Sequence, residues 1–286
     1  MKINFSILQY FSFCLLVLML SACSEEVTVK LPSSENILVV EGRVEFNESL
    51  TEQSINLSIL GDFYSNKINE PVIDATVWVV EGQSGDTYEF ENRNNGLYTN
   101  ALLVGKVGEL YTLHVEWNNE VYEASEQLLP VASIDSIYSL EVATNTFDDG
   151  GDKIAIDFSD PKGIANYYFW ENYQDGELNV VPDPGAKFNY ILPDVYFDGQ
   201  KIEGYVTNEE MVIELGQPIT VKQIGISKTV YDYYYLLFDQ AGRTGTLFDT
   251  PPAPVRGNIK NLTNPNHYAL GYFYASQVDE AMFVLE

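Results

Sequence analysis

From residue 37 onward the chain alternates apolar and polar positions with a period of two, which predicts short, half-buried β-strands. Residues 37–44 (ILVVEGRV) open the pattern with β-branched side chains. Ile55, Leu57 and Ile59 alternate with polar neighbours, and Tyr111, Leu113, Val115 and Trp117 share one face of residues 110–117. Residues 75–80 (ATVWVV), 87–90 and 97–99 read as further strands, divided by turns at residues 82–86 and at Asn94-Asn95-Gly96. Asn118-Asn119 suits a two-residue hairpin before Val121 and Tyr122, because Asn tolerates positive φ. About seven short strands within roughly 90 residues predict an antiparallel sandwich over residues 37–130.

At Leu129-Pro130 the pattern resets, and residues 131–286 read as a second, β-rich domain. Strands are expected at residues 134–142, 153–158, 167–170 and 219–226, with closing strands at 270–275 and 282–285. Residues 174–218 are rich in Pro, Gly, Asp and Asn and read as long loops or insertions, and long ordered loops are often functional. Ser227 is placed to cap a helix running to about residue 240 and ended by Gly242. Val230, Tyr233, Tyr234 and Leu237 fall near helical spacing there, with a buried strand as the competing reading. Pro251-Pro252-Ala253-Pro254 must be extended. The expected fold is therefore mostly β: a sandwich, which resembles the immunoglobulin/transthyretin-like type, then a β-rich C-terminal domain with one α-helix.

The first residues follow another pattern. Lys2 precedes an apolar run at residues 11–20, too short to span a bilayer as a helix. Small residues Ser21 and Ala22 lead into Cys23. This resembles the lipobox of bacterial lipoproteins, in which the chain is cut before the Cys and its thiol is acylated. Residues 1–22 are then the signal peptide and residues 23–36 a lipid-anchored tether. Ser24, Glu25 and Glu26 resemble the acidic export signal that carries such lipoproteins to the outer face of the outer membrane. The expected location is the outer membrane, held by lipid at Cys23 and facing outward.

Composition narrows the chemistry. The formal net charge is −27, and removing Lys2 with the signal gives 14 minus 42, or −28. With its remaining Lys and Arg scattered, the chain has no basic stripe for nucleic acid. Cys14 leaves with the signal and Cys23 carries lipid, so no disulfide or thiol nucleophile is expected. Stability must come from burial, for which 20 Tyr, 15 Phe and 3 Trp supply area.

Candidate reactive groups are few. His114 is expected to be exposed on the polar face of its strand, and His267 lies in a loop. Metalloprotease, serine-hydrolase and phosphate-loop motifs do not occur. Asp148, Asp149 and Asp152 form the densest acidic loop, but their spacing lacks the pattern of a calcium loop, and a solvated hairpin is expected. No cofactor, metal or catalytic residue is assigned. Tyr231, Tyr234 and Tyr235, with Pro251 and Pro252, are the candidates for ligand or partner binding, against core packing as the plain alternative.

Two resemblances extend this reading. Residues 71–116, with their short strands and Gly or Asn turns, look like a transthyretin-like or carboxypeptidase-regulatory-like module, usually structural. LVVEG at 38–42, IDSI at 134–137, DPKG at 160–163, NYYFW at 166–170, PPAPVRGNI at 251–259 and LGYF at 270–273 occur in an ordered set. Behind a lipobox, that set resembles the Bacteroidota lipoprotein family known as domain of unknown function 4249. The resemblance implies no established reaction. It implies a place beside TonB-dependent outer-membrane receptors, as a non-enzymatic accessory or substrate-capturing partner. A surface hydrolase using paired carboxylates and a structural or adhesive lipoprotein are the alternatives.

Overall fold

Strand β17 (Leu270–Val284) is 15 residues long and serves two neighbours in turn. In the computed structural model, which describes residues 37–61, 69–144, 150–179, 190–211, 213–241 and 255–286, its first half lies parallel to β1 (Leu38–Phe46). That pairing runs from Val39 beside Leu270 to Phe46 beside Gln277. Its second half lies antiparallel to β15 (Pro218–Gly225), from Ile224 beside Val278 to Pro218 beside Val284. The pattern predicted two closing strands here. They are one, because the polar residues between them mark where the strand changes partner, not where it stops.

On the far side of β1 come β2 (Gln53–Ile59) and β6 (Leu97–Asn100), with β3 (Glu70–Pro71) beside β2. Strand β5 (Thr87–Asn92) then turns the corner. Its first residues pair with β4 (Thr76–Glu81), while Glu91 and Asn92 pair with β6. Strands β7 (Leu110–Trp117) and β8 (Glu120–Gln127) follow in the second layer, with the short β16 (Lys260–Asn261) beside β8 at its edge. As the Asn-Asn pair predicted, the β7–β8 hairpin turns on Asn118 and Asn119, with φ of 52 and 61°.

Alternation sends Val40, Ile55, Leu57 and Tyr98 of one layer against Val77, Val79, Leu113 and Val115 of the other. Ile259, Phe273 and Ala275 join the same core, so it draws on both ends of the chain. The reset at Leu129-Pro130 lies between β8 and β9 (Ile134–Val142), and Leu129 there accepts a 2.8 Å hydrogen bond from Gln277 N on β17.

Beyond β15 the sheet continues through β11 (Tyr167–Gln174) to the edge strand β12 (Glu177–Asn179), while β13 (Ile191–Pro193) also pairs with β11. Strand β11 is covered on both faces. Tyr168 and Trp170 meet Ile154, Ile156 and Phe158 in a core shared with a three-stranded sheet. That sheet contains β9, β10 (Gly151–Ser159) and β14 (Lys201–Val206). Phe169, on the opposite face, packs under helix α1 (Lys228–Ala241). Ser227 caps this helix as expected, its Oγ accepting the Val230 N–H at 3.3 Å.

Residues 174–218 are not loop throughout. Among the described residues they hold β12, β13, β14 and a 3-10 turn, Asp194–Tyr196. Three-residue strands are too short to register as alternation, and β14 is interrupted by Gly204 at φ 69°. The residues read as signal peptide and tether, 1–36, with Cys23, Ser24, Glu25 and Glu26, lie outside the described residues, as do Asp148, Asp149, Gly242, Pro251 and Pro252. Among the described residues, no helix is long and apolar enough to cross a membrane.

Candidate functional site

Charged residues concentrate on the helix-facing side of β1, β11, β15 and β17. Arg43 on β1 donates from Nη1 and Nη2 to the two oxygens of Glu171 on β11, at 2.6 and 3.1 Å. Its Nε pairs with Glu45, and Nη1 also donates to Tyr274 Oη at 3.1 Å. Tyr173 donates to Glu171 Oε2 at 2.9 Å, and Lys222 stands 5.2 Å from the centre of the Tyr173 ring. Burial pushes the Glu171 carboxyl up, but the charge and hydrogen bonds of Arg43 outweigh it and leave it below the ordinary carboxylate range. Two carboxylates thus share one guanidinium, and Glu45 Oε2 has no hydrogen-bond partner among the described residues. Neither has Ser276 Oγ, although Ser276 stands beside Glu45 in the β1–β17 register.

Next to this network lies the aromatic floor of helix α1. Tyr231 meets Tyr167 with ring centres 5.3 Å apart, Tyr234 stacks on Phe169 at 4.7 Å, and Tyr235 lies 6.1 Å from Tyr231. All three are half-buried against the sheet, and the helix's exposed apolar side chains are Leu236 and Leu237. Burial pushes the Tyr233 hydroxyl up to about 12, so this phenol keeps its proton at neutral pH.

The fold also gathers Asp160, Asp194 and Asp198, each with a carboxylate oxygen within 4.8 Å of the others. Oxygens of this kind are what a hard divalent cation takes. Here each carboxylate already has protein donors. Asp160 accepts Tyr168 OH at 2.5 Å and Gly199 N at 2.9 Å, Asp194 accepts Asn166 N at 2.7 Å, and Asp198 accepts Gly163 N at 2.6 Å. No signal in the sequence joins them, because the DPKG turn and the 3-10 turn come together through β11–β13 and β10–β14 pairing. Asp152, from the acidic loop that the sequence drew attention to, accepts Ser139 Oγ at 2.6 Å.

A family model described as Domain of unknown function (DUF4249) matches residues 24–281. The chain belongs to this family. No curated protein matches it. The match covers every strand and the helix of the DUF4249 fold described above, up to the last residues of β17.

Both histidines of this DUF4249 chain are engaged. His114 was expected to be exposed, yet it is half-buried, its ring stacked 5.0 Å from that of Trp78 and its Nδ1 3.6 Å from Glu123. These three are cross-strand neighbours on β4, β7 and β8. His267 places Nδ1 2.7 Å from Glu120 Oε2, which also accepts Tyr122 OH at 2.7 Å and Asn261 Nδ2 at 2.9 Å. Burial works against the charge on Glu120, but these hydrogen bonds outweigh it and hold the carboxyl below its usual range. Two open cavities, of about 550 and 500 Å³, lie elsewhere. The first is edged by Gln174, Asp175 and Gln217, the second by Pro71, Ile73 and Trp117.

Proposed function

We propose that this protein is a lipoprotein of the outer membrane, anchored through acylated Cys23 and displayed on the cell surface of a member of the Bacteroidota. It works without catalysis, as an accessory or substrate-capturing partner of a TonB-dependent receptor. The observation that carries the reading is the run Leu20-Ser21-Ala22-Cys23-Ser24-Glu25-Glu26, an apolar segment passing through small residues into a Cys and then an acidic pair. For a surface hydrolase, Asp160 and Asp194 are a pair that the fold brings together. Both are buried and already accept hydrogen bonds.

Three measurements test the reading. Cys23→Ala should abolish incorporation of labelled palmitate. Replacing Glu25 and Glu26 by Ala should protect the protein from protease added to intact cells. The lipidated wild type, extracted in mild detergent, should bring a TonB-dependent barrel with it. Undiminished palmitate labelling of the Cys23 variant would remove the anchor, and extraction without a barrel would remove the receptor.

A further inference from the structure

The loop joining β6 to β7 holds aliphatic side chains in solvent on a backbone that is tied down almost step by step. Leu102 is 80% exposed, Val104 63%, Val107 47% and Leu110, at the start of β7, 45%. Between them Leu103 is buried in the sandwich core. Asn100 Oδ1 accepts the N–H groups of Leu102 and Leu103 at 2.8 and 2.7 Å. Gly105 lies so close to β1 that a Cβ there would meet Glu45 O at 2.5 Å. Lys106 N donates to Tyr111 OH at 2.9 Å, and Gly108 N to Leu128 O at 2.8 Å. These side chains are therefore presented, and not merely left out of a core by a loose loop.

The loop's own charges have protein partners, although the Lys106 side chain itself is 60% exposed. Lys106 Nζ pairs with the buried Glu81. Glu109 is buried and accepts Gln83 N at 2.9 Å. Beside the paired Lys106, and Arg93, which pairs with Glu52 and Glu91, the other exposed charges near the loop are acidic. Glu48 follows β1 in the turn at that end, Asp86 lies in the turn that Glu109 holds through Gln83, and Glu89 O accepts Asn100 Nδ2 at 2.6 Å. An apolar centre with an acidic margin is complementary to an apolar cleft with a basic margin. A second copy of a chain carrying −27 would be repelled, as would an anionic lipid surface.

We propose that Leu102, Val104, Val107 and Leu110 form a plug that seats in the apolar cleft of a protein partner whose margin is rich in Lys or Arg. The proposal rests on the reading of this chain as a binding lipoprotein and gives that reading a surface. It favours this loop over the α1 tyrosines, whose rings are taken up by the sheet.

The test is photocrosslinking in cells that make the full lipidated chain, with benzoylphenylalanine in place of Leu102 or Val104, and in place of Leu236 on α1 as the control. The expected result is one protein adduct from the first two positions that is absent from the third. That protein, once purified, should bind the full chain with a Kd that rises with salt. Leu102→Ser combined with Val104→Ser should raise the Kd at least tenfold without moving the melting temperature. Adducts to the chain itself, to lipid or to nothing overturn the proposal, and so does an affinity that the double variant leaves unchanged. If no protein adduct forms and a TonB-dependent barrel copurifies equally with wild type and variant, the plug fails while the receptor reading stands. If the adduct is another protein and no barrel copurifies, the plug stands and the receptor reading fails.

Discussion

Arg43 on β1 grips both carboxylate oxygens of Glu171 on β11, at 2.6 and 3.1 Å, across 128 residues of sequence. The strands that carry them are not neighbours, since β15 and β17 stand between. Removing one partner of a buried ion pair leaves the other charge uncompensated and costs about 3–5 kcal/mol. Glu171→Gln should therefore destabilise the fold by roughly that amount in urea denaturation. Since the Glu171 carboxyl is held below its ordinary range, the unfolded chain takes up the proton first as pH falls. The stability it contributes is present at neutral pH and lost through the acid range. Urea midpoints measured from pH 7 downward should fall less steeply for Glu171→Gln than for wild type. Parallel slopes would mean that the pair contributes nothing to acid sensitivity.

Ser276 offers the opposite case. Its Oγ is fully buried without a hydrogen-bond partner among the described residues, beside the equally unpartnered Glu45 Oε2. Deleting a buried hydroxyl that makes no bond relieves its desolvation cost, on the order of 1 kcal/mol. Ser276→Ala should melt higher than wild type, and a lower melting temperature would show that the hydroxyl is satisfied.

Tyr168→Phe tests the acidic trio. The Tyr168 hydroxyl donates to Asp160 at 2.5 Å, and burial raises its pKa so that the proton stays on. Without that donor a buried carboxylate loses one of its partners, at a cost of about 1–3 kcal/mol. Equilibrium unfolding of the variant measures it directly, and a change within error of zero would mean that Asp160 is sufficiently held by Gly199 N.

A fragment of residues 23–130 should not melt cooperatively, even though the strand pattern there looks self-contained. It lacks β17, the partner of β1, and it lacks Ile259, Phe273 and Ala275 from the core. Circular dichroism of the isolated fragment checks this. A sharp thermal transition would show that the first sandwich folds without its last strand.

Most of the strands were legible because each shows its own alternation, and α1 was legible from Ser227 and the spacing of Val230, Tyr233 and Tyr234. Pairing was not legible. Nothing local in LVVEGRVEF says that its neighbour is the last strand, or that Arg43 faces Glu171. The second face of β1 carries the clue, since Glu41, Arg43 and Glu45 alternate against Val40, Gly42 and Val44. Charges at such positions read as a solvated face unless another layer is known to cover them. The same blindness hid Asp160, Asp194 and Asp198, which are distant in sequence and joined by strand pairing alone. Leu102 and Val104 were missed because a short apolar stretch in a loop looks like core until its exposure is known.

The pairing of β1 with β17 also sets a timetable. Arg43 and Tyr274 are 231 residues apart, and the contact between their strands closes almost the entire described chain into one loop. Contacts of such span come late and make folding slow, because the chain must lose its freedom before the pairing rewards it. During synthesis, β1 emerges long before its partner exists and must wait with an unpaired, apolar edge. The first strand to be made is thus among the last to be secured, and whatever guards it in the interval acts on an unfinished protein.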